Sequence, residues 1–473
     1  MELKLKRIGI NKYQLEKIPG MQVEAVVYIK PEMLETIYRD RSLEQLAQSA
    51  MLPKLLSPVI AMPDVHEGYG IPVGGVMATD GLVSVGGVGM DINCGVRLLR
   101  INLDYDESLF ARDNLIIFSR AIERSIPVGL GRNRKQPLPR IEFREVIIHG
   151  SQHLLKAGYA TEADISHTEE EGKLKGADLE ALSERARKRA QNQLGTLGSG
   201  NHFMELQRVT EVFDDKTAQA FGLKENQVCF MIHSGSRALG HQTCLDYTKI
   251  FQGSEEKYGI KAPTRNLTSL PIESEEGQRY LAAMTGAVNF AFANRQLMTH
   301  QFRQVFKKFF EKKTDKKIEI ETVYDVAHNI AKWEVHRGKE VLIHRKGATR
   351  ALPAGHEQNP KTYMETGHPV IIPGSMGTGS YVLAGLPKAE ETYFTVNHGA
   401  GRTMSRTQAK REISKEKFAE QMRQVVYNKP LGMIKDEAPE AYKDIELVIE
   451  TLEEAGLAKK VAKLVPLAVI KGD

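Results

Sequence analysis

The chain has only three cysteines, Cys94, Cys229 and Cys244, widely spaced and odd in number. A disulfide framework is therefore excluded as its main support, and 473 residues bury enough core to need none. No run of 18 or more apolar residues occurs, so no membrane-spanning helix is expected. The N-terminal stretch MELKLKRIGINKYQLEKIPG holds no apolar run of the secretory kind. A reducing cytoplasm is the expected compartment, where cysteine more often serves metal binding or chemistry than crosslinking. An excess of charge is also lacking: 65 basic and 60 acidic residues leave a net +5, too little to imply a nucleic-acid partner alone. Internal repeats and low-complexity tracts are missing. So are the G-x-x-x-x-G-K-[ST] phosphate loop and the Rossmann glycine pattern, the two commonest nucleotide signatures.

What is present is an ordinary globular composition, 41% hydrophobic and 26% charged. Apolar runs bounded by Gly and Pro read as buried strands: LLSPVIAMPDV, GLVSVGGVGM, QVCFMIHSGS, PVIIPGS and TYFTVNHGAG. Helical patterns lie between them. Phe302, Phe306, Phe309 and Phe310 form a stripe at helix spacing, flanked by lysines on its wet side. Residues 404–427 read as helical over much of their length, with Ser414 as an N-cap for the second part. The polar, Pro-interrupted stretch 253–276 reads as a surface loop. The expected architecture is α+β, one large domain over residues 1–473 with mixed β-sheets flanked by helices. Basic residues cluster in a loop at 129–140 (Arg132, Arg134, Lys135, Arg140) and on a helix at 184–193 (Arg185, Arg187, Lys188, Arg189). Each cluster, taken alone, reads most simply as a solvated face.

Chemistry-bearing residues share one local grammar. Asp91 and Cys94 stand in VGMDINCGVR, His202 in LGTLGSGNHFME, His233 in CFMIHSGSR and His328 in YDVAHN. Each follows an apolar run or sits in a glycine-rich loop, where strand ends converge. One thiolate, one carboxylate and three imidazoles make a competent set for a transition metal. Their number exceeds what one tetrahedral ion with an open position needs. A sulfur bridging two ions fits better, and paired ions suit phosphoryl chemistry because they hold both attacking and leaving oxygens.

Glycines crowd GTLGSGNH (195–202), PGSMGTGS (373–380) and NHGAGR (397–402), where backbone N–H groups can approach an anion. Singly, each reads as readily as a tight turn; together they suggest a nucleotide or a nucleic-acid phosphate. His398 opens the last of these, with Arg402 and Arg406 as candidate phosphate clamps. It is either a nucleophile toward phosphorus or one more ligand or structural histidine. Asp64, His66 and Glu67 in MPDVHEGYG offer acid/base chemistry or turn bonding. Arg237, four residues from His233, is a further phosphate contact if its loop lines the site.

Taken together, PDVHEGYGIPVGG, GMDINCGVRLLR, LGTLGSGNHFMELQ, MIHSGSRALGHQ, VAHNIA, HRKGATRA, PGSMGTGSYVL, NHGAGRTMSR and the terminal IKG resemble the RtcB RNA-splicing ligases, in family order from about residue 60 onward. The resemblance implies two manganese ions held by Asp91, Cys94, His202, His233 and His328, with Cys94 shared. Ligand softness alone favours zinc. It implies that His398 takes GMP from GTP. The implied guanosine pocket comprises Asn201, His202, Phe203, Met204, Glu205, His328, Asn329, Pro373, Gly374, Ser375, Met376, Ser380, His398, Gly399, Ala400, Gly401, Tyr442 and Lys471. Asp64, Arg237, Arg402, Arg406, Arg187 and Arg189 are the expected contacts to RNA or phosphate.

The implied reaction opens an RNA 2′,3′-cyclic phosphate to a 3′-phosphate, guanylylates His398, passes GMP to the 3′-phosphate, and closes the strand with a 5′-hydroxyl from a second RNA. Intron-split tRNA halves or other cleaved RNAs are the expected substrates. A monomer is expected, with an archease accessory protein as a candidate partner. Two other readings use the same residues: a binuclear metallohydrolase of cyclic phosphates without covalent nucleotide, and a non-catalytic RNA-binding protein with structural metals.

Overall fold

The computed structural model describes residues 3–134 and 139–472. Lys135 of the basic loop lies outside the described residues.

The apolar runs fold as buried strands. Gln227–Ser234 is buried at every position, which is why QVCFMIHS reads as a continuous apolar run without alternation. It lies within a sheet ordered Ile320–Ala327, Gly95–Asp104, Gln227–Ser234, Phe203–Val212, Ala458–Lys471, Ser380–Gly385 and Pro369–Ile372. Val426–Tyr427 adds to this sheet in parallel, alongside Ala458–Lys471. A second sheet is ordered Leu5–Gly9, Lys12–Leu15, Ala25–Tyr28, Val59–His66, Val73–Thr79, Lys339–Lys346 and Asn329–His336. It too is mixed, because Ala25–Tyr28 and Val59–His66 run parallel while the other pairs are antiparallel. The architecture is α+β, as expected.

One helix, Glu275–Phe310, spans 36 residues and is about 54 Å long. Ser274 caps its start by accepting from the Gly277 N–H, with Glu275 and Glu276 complementing the dipole. Its middle is buried all round, as in a helix threaded through a core. Near its end Phe302, Phe306 and Phe310 pack on Phe118, and Phe302 stacks on Phe230 of the larger sheet with ring centroids 3.6 Å apart. The phenylalanine stripe is core. Helices Arg406–Glu412 and Lys415–Gln421 occupy the 404–427 segment, and Ser414 caps the second by accepting from the Lys417 N–H. The basic helix spans Glu184–Ala190. No helix of the described residues is long and apolar enough to cross a membrane.

Three local expectations change. The stretch 253–276 is a surface loop only in part. Its first residues end the helix Arg237–Ser254, and Ser269–Pro271 pairs with Leu82–Ser84, burying Leu267 and Leu270. Within GLVSVGGVGM only Leu82–Ser84 is strand, so a loop separates it from Asp91. The strand before His398 is Thr395–Asn397 alone. Left-handed backbone at Tyr393 (φ 53°) and Phe394 (φ 49°) breaks the apolar run ahead of it.

Candidate active site and metal centre

Strand register gathers what the sequence scatters. In the larger sheet Gly95 lies opposite both Ala327 and Ser234, and His233 lies opposite Phe203. Cys94, His328, His233 and His202 therefore emerge at one end of four neighbouring strands. Cys94 Sγ is 3.3 Å from His202 Nε2 and 3.2 Å from His233 Nε2, and His233 Nε2 is 3.3 Å from His328 Nε2. Asp91 Oδ2 is 2.7 Å from His202 Nε2. Metal–ligand bonds of about 2.0–2.3 Å give tetrahedral ligand separations of about 3.3–3.8 Å, close to the sulfur–nitrogen and nitrogen–nitrogen distances here. Two overlapping groups result, Asp91–Cys94–His202 and Cys94–His233–His328. The donor set fits a pair of ions sharing one sulfur.

Burial prepares these atoms. It drives the His233 and His328 rings well below the usual imidazole range, leaving neutral rings with lone pairs to offer. Burial, then the charge of Asp91, pushes the Cys94 thiol well up. A bound cation reverses that ordering, since a coordinated thiol is deprotonated. At Asp91 burial alone would raise the carboxyl, but its neighbours His202, Cys94 and Arg237 together outweigh it and the net direction is down. His202 Nδ1–H donates to the Leu197 carbonyl (3.0 Å), which leaves Nε2 as the free ligand atom.

His398 stands next to this cluster, its ring 4.7 Å from that of His328 between centroids. Its Nδ1–H donates to Asp64 Oδ2 at 2.6 Å. The backbone N–H groups of His398 and Gly399 donate to the same oxygen, at 3.1 and 3.3 Å. Asp64 is fully enclosed, and the buried Lys443 ammonium bonds the carbonyls on either side of it, Pro63 and Val65. The carboxylate thus fixes ring orientation and tautomer, leaving Nε2 unprotonated toward the cleft. Gly401 (φ 77°) permits this approach: a Cβ there would lie 2.2 Å from the Asp64 carbonyl oxygen.

A cleft of about 240 Å³ opens over His398, His328 and His233. Asn201, Phe203, Glu205, Asn329, Pro373–Met376, Gly399–Arg402, Arg406, Tyr442 and Lys471 line it, with His66, Lys346, Gly347 and Glu437. Burial lifts the Glu205 carboxyl to about 8, although Gln207 and Lys471 oppose the shift. Glu437 behaves oppositely: burial would raise it, but Lys471, Arg402 and Arg406 together hold it near 2. Its carboxylate accepts from Tyr442 Oη (2.6 Å) and Lys471 Nζ (3.1 Å).

A second, wider cavity of about 620 Å³ lies on the Asp91–His202 side of the cluster, lined by Lys188, Arg189, Arg237, His241, Met90 and Leu130 among others. The 195–200 loop shows what two of its glycines do. A Cβ on Gly198 would meet Arg237 Nη1 at 2.1 Å, and one on Gly200 would meet Arg406 Nη2 at 2.4 Å. At these positions glycine makes room for guanidinium groups.

The structure places several of the expected contact residues away from the cleft or ties them to protein partners. Asp64 cannot meet RNA, because it is buried behind His398. Met204 lies on the opposite face of its strand from Phe203 and Glu205 and packs in the core with Phe230 and Phe302. Ser380 sits behind the cleft wall, its hydroxyl bonded to the Gly374 N–H and to Gln207. His202 faces the wider cavity instead of the cleft. Arg402 is tied to Glu437, Tyr442 and the carbonyls of Asp436 and Met404, so Arg406, about half exposed, is the freer clamp. Arg187 pairs with Glu180 and lines neither cavity, whereas Arg189 lines the wider one. Sequence reasoning missed Glu437 and Lys346. No spacing marks Glu437, in a 3₁₀ turn of the polar tract KDEAPEAY, whereas Lys346 stood inside the quoted motif HRKGATRA.

Comparisons with known proteins give the family. A family model described as tRNA-splicing ligase RtcB matches residues 45–472. The chain is 45% identical to the tRNA-splicing ligase RtcB of Thermococcus kodakarensis, covering 99% of each chain. It is 44% identical to that of Archaeoglobus fulgidus, covering all of both. It is also 44% identical to the RNA-splicing ligase RtcB of Mycobacterium bovis, over 90% of this chain and all of the relative.

Proposed function

The chain belongs to the tRNA-splicing ligase RtcB family, and on that premise we propose that it joins RNA 3′-phosphate or 2′,3′-cyclic phosphate ends to 5′-hydroxyl ends through GMP carried on His398. One observation carries the reading: an imidazole whose Nδ1 is held by a buried carboxylate, with Nε2 open to a cleft beside two overlapping metal-ligand groups. Two manganese ions held by Asp91, Cys94 and His202, and by Cys94, His233 and His328, would neutralise charge on the reacting phosphate oxygens.

The protein's own groups then do the following. His398 Nε2 attacks the α-phosphorus of GTP and forms a P–N bond as the bond to pyrophosphate breaks. Asp64 accepts the Nδ1–H throughout and stabilises the positive charge that the ring gains, as a buried carboxylate does for any nucleophilic or basic histidine. Glu205, Tyr442 and Lys471 surround the base. A guanine edge presents N1–H and N2–H donors, which a carboxylate accepts together. Arg406 meets phosphate at the mouth of the cleft. The RNA 3′-phosphate next displaces His398 from the GMP phosphorus, and the 5′-hydroxyl oxygen finally attacks the RNA phosphorus and releases GMP. The wider cavity, with Arg189, Lys188 and Arg237, suits the polyanionic strand arriving with that hydroxyl. We take residues 1–473 as one catalytic domain acting in the cytoplasm, with spliced or repaired RNAs as substrates.

The test is incubation with α-labelled GTP and manganese. The expected result is an acid-labile label that survives denaturation and is lost in His398→Ala. Hydrolysis of cyclic phosphate that continues in His398→Ala, without any label in the unaltered chain, would establish the metallohydrolase reading instead.

A further inference from the structure

The ligand residues come from four segments, and one side chain outside all of them binds three. Arg295, in the middle of the helix Glu275–Phe310, is fully buried. Its Nη1 donates to the carbonyls of Asn93 (2.9 Å) and Ser234 (2.8 Å), the residues adjoining Cys94 and His233. Its Nη2 donates to Asn93 Oδ1 (3.2 Å) and to Asp325 Oδ1 (2.7 Å), on the strand that delivers His328 three residues later. Gly95 admits the guanidinium, since a Cβ there would lie 2.9 Å from Arg295 Cζ. Asn294, the preceding residue, ties Gly195 and Thr196 of the His202 loop to the Gly235 carbonyl.

We propose that Arg295 is a positioning residue for the metal centre, its planar fork setting the spacing of Cys94, His233 and His328. This rests on the metal-centre reading above. A planar fork with donors on both edges can hold two carbonyls and a carboxylate at fixed angles, which a lysine ammonium cannot. Burial matters equally, because the bonds have no water to compete with them. The same carboxylate provides a control. Arg97 donates to Asp325 Oδ2 (2.7 Å), is equally buried, and reaches Gln296, Thr299 and Thr168 but no backbone of a ligand segment.

The experiment compares the unaltered full chain with Arg295→Lys and Arg97→Lys, each titrated with Co²⁺ and followed by the sulfur-to-cobalt absorption band. Thermal unfolding is measured in parallel. Both variants are expected to melt earlier. Only Arg295→Lys should weaken cobalt binding, by about 10–100-fold, the usual cost of losing a partner that orients ligands, with a diminished band. Wild-type affinity and band in folded Arg295→Lys would overturn the proposal, and so would an equal loss in Arg97→Lys. If Arg295→Lys does not fold, Asn93→Gly decides. It suits the left-handed backbone there (φ 50°), removes one bond to Arg295 together with the Asn93 Nδ2 bond to the Val288 carbonyl, and buries no charge. A smaller loss in the same direction supports the proposal; an unchanged titration overturns it. No sulfur band in the unaltered chain would instead sink the metal centre itself.

Discussion

The two cavities on either side of the ligand cluster, one lined by His233 and His328 and the other by Asp91 and His202, differ in how they could recognise a ligand. The cleft over His398 is small and mixes acids with cations: Glu205 and Glu437 face Lys471, Arg402 and Arg406, with Tyr442 between them. The cavity on the Asp91–His202 side is wider and dominated by cations, with Leu130 exposed at its edge. Paired acids and cations in an enclosed space read hydrogen-bonding pattern, because an unmatched buried group is costly. An open cationic surface reads charge, tolerates sequence, and weakens with salt. On the proposed function, one side takes a defined nucleotide and the other a strand of any sequence.

The sharpest way to break this comparison is to disable one side and watch the other. His398→Ala should abolish the GMP label, and Asp64→Asn should cut its rate by as much as about 10⁴-fold, the scale seen when a buried carboxylate no longer fixes a catalytic histidine's tautomer. RNA binding at fixed salt should change less than about twofold in either variant, because neither residue lines the cationic cavity. Equal losses in both assays would mean that the cavities form one site.

Next in size is Lys471→Ala. Its ammonium is buried against Glu437, so removing it deletes a charge-assisted bond at the base and leaves Glu437 with less compensation. The apparent KM for GTP should rise by about 10–100-fold with a smaller change in kcat. On the other side, Arg189→Ala should weaken RNA binding about tenfold and lower the slope of log affinity against log salt by about one, with self-guanylylation unaltered. A change in GTP kinetics would remove Arg189 from the strand side.

How much of this was legible depended on whether a residue announced itself locally. Cys94, His202, His233 and His328 did, because each follows strand or glycine-rich sequence and antiparallel register then brought those ends together. Met204 was misplaced because a contiguous run of pocket residues ignores the alternation of a strand, which turns every second side chain away. Asp64 was recognised as polar and close to chemistry, but its partner lies 334 positions along the chain. Arg295 was invisible: inside a long helix it carries no motif, and only the packing of three ligand segments around it reveals its use.

The smallest predicted effect is the most specific to the enclosed side. Glu205 has its carboxyl lifted to about 8, chiefly by burial, so it is largely protonated at neutral pH before a nucleotide binds. Accepting from both guanine donors requires the carboxylate, so binding must release that proton. GTP affinity should therefore improve as pH rises toward 8 and then level off, by about fourfold between pH 7.5 and 9. Lys346, brought down to about 7 by burial, lines the same cleft and works in the opposite direction, because it loses positive charge toward the triphosphate as pH rises. Glu205→Gln separates the two. In that variant the rise should vanish and leave a flat or falling profile, measured by nucleotide binding at constant ionic strength. A rise that persists in Glu205→Gln would show that another group releases the proton, and the reading of the guanine edge would then have to move elsewhere in the cleft.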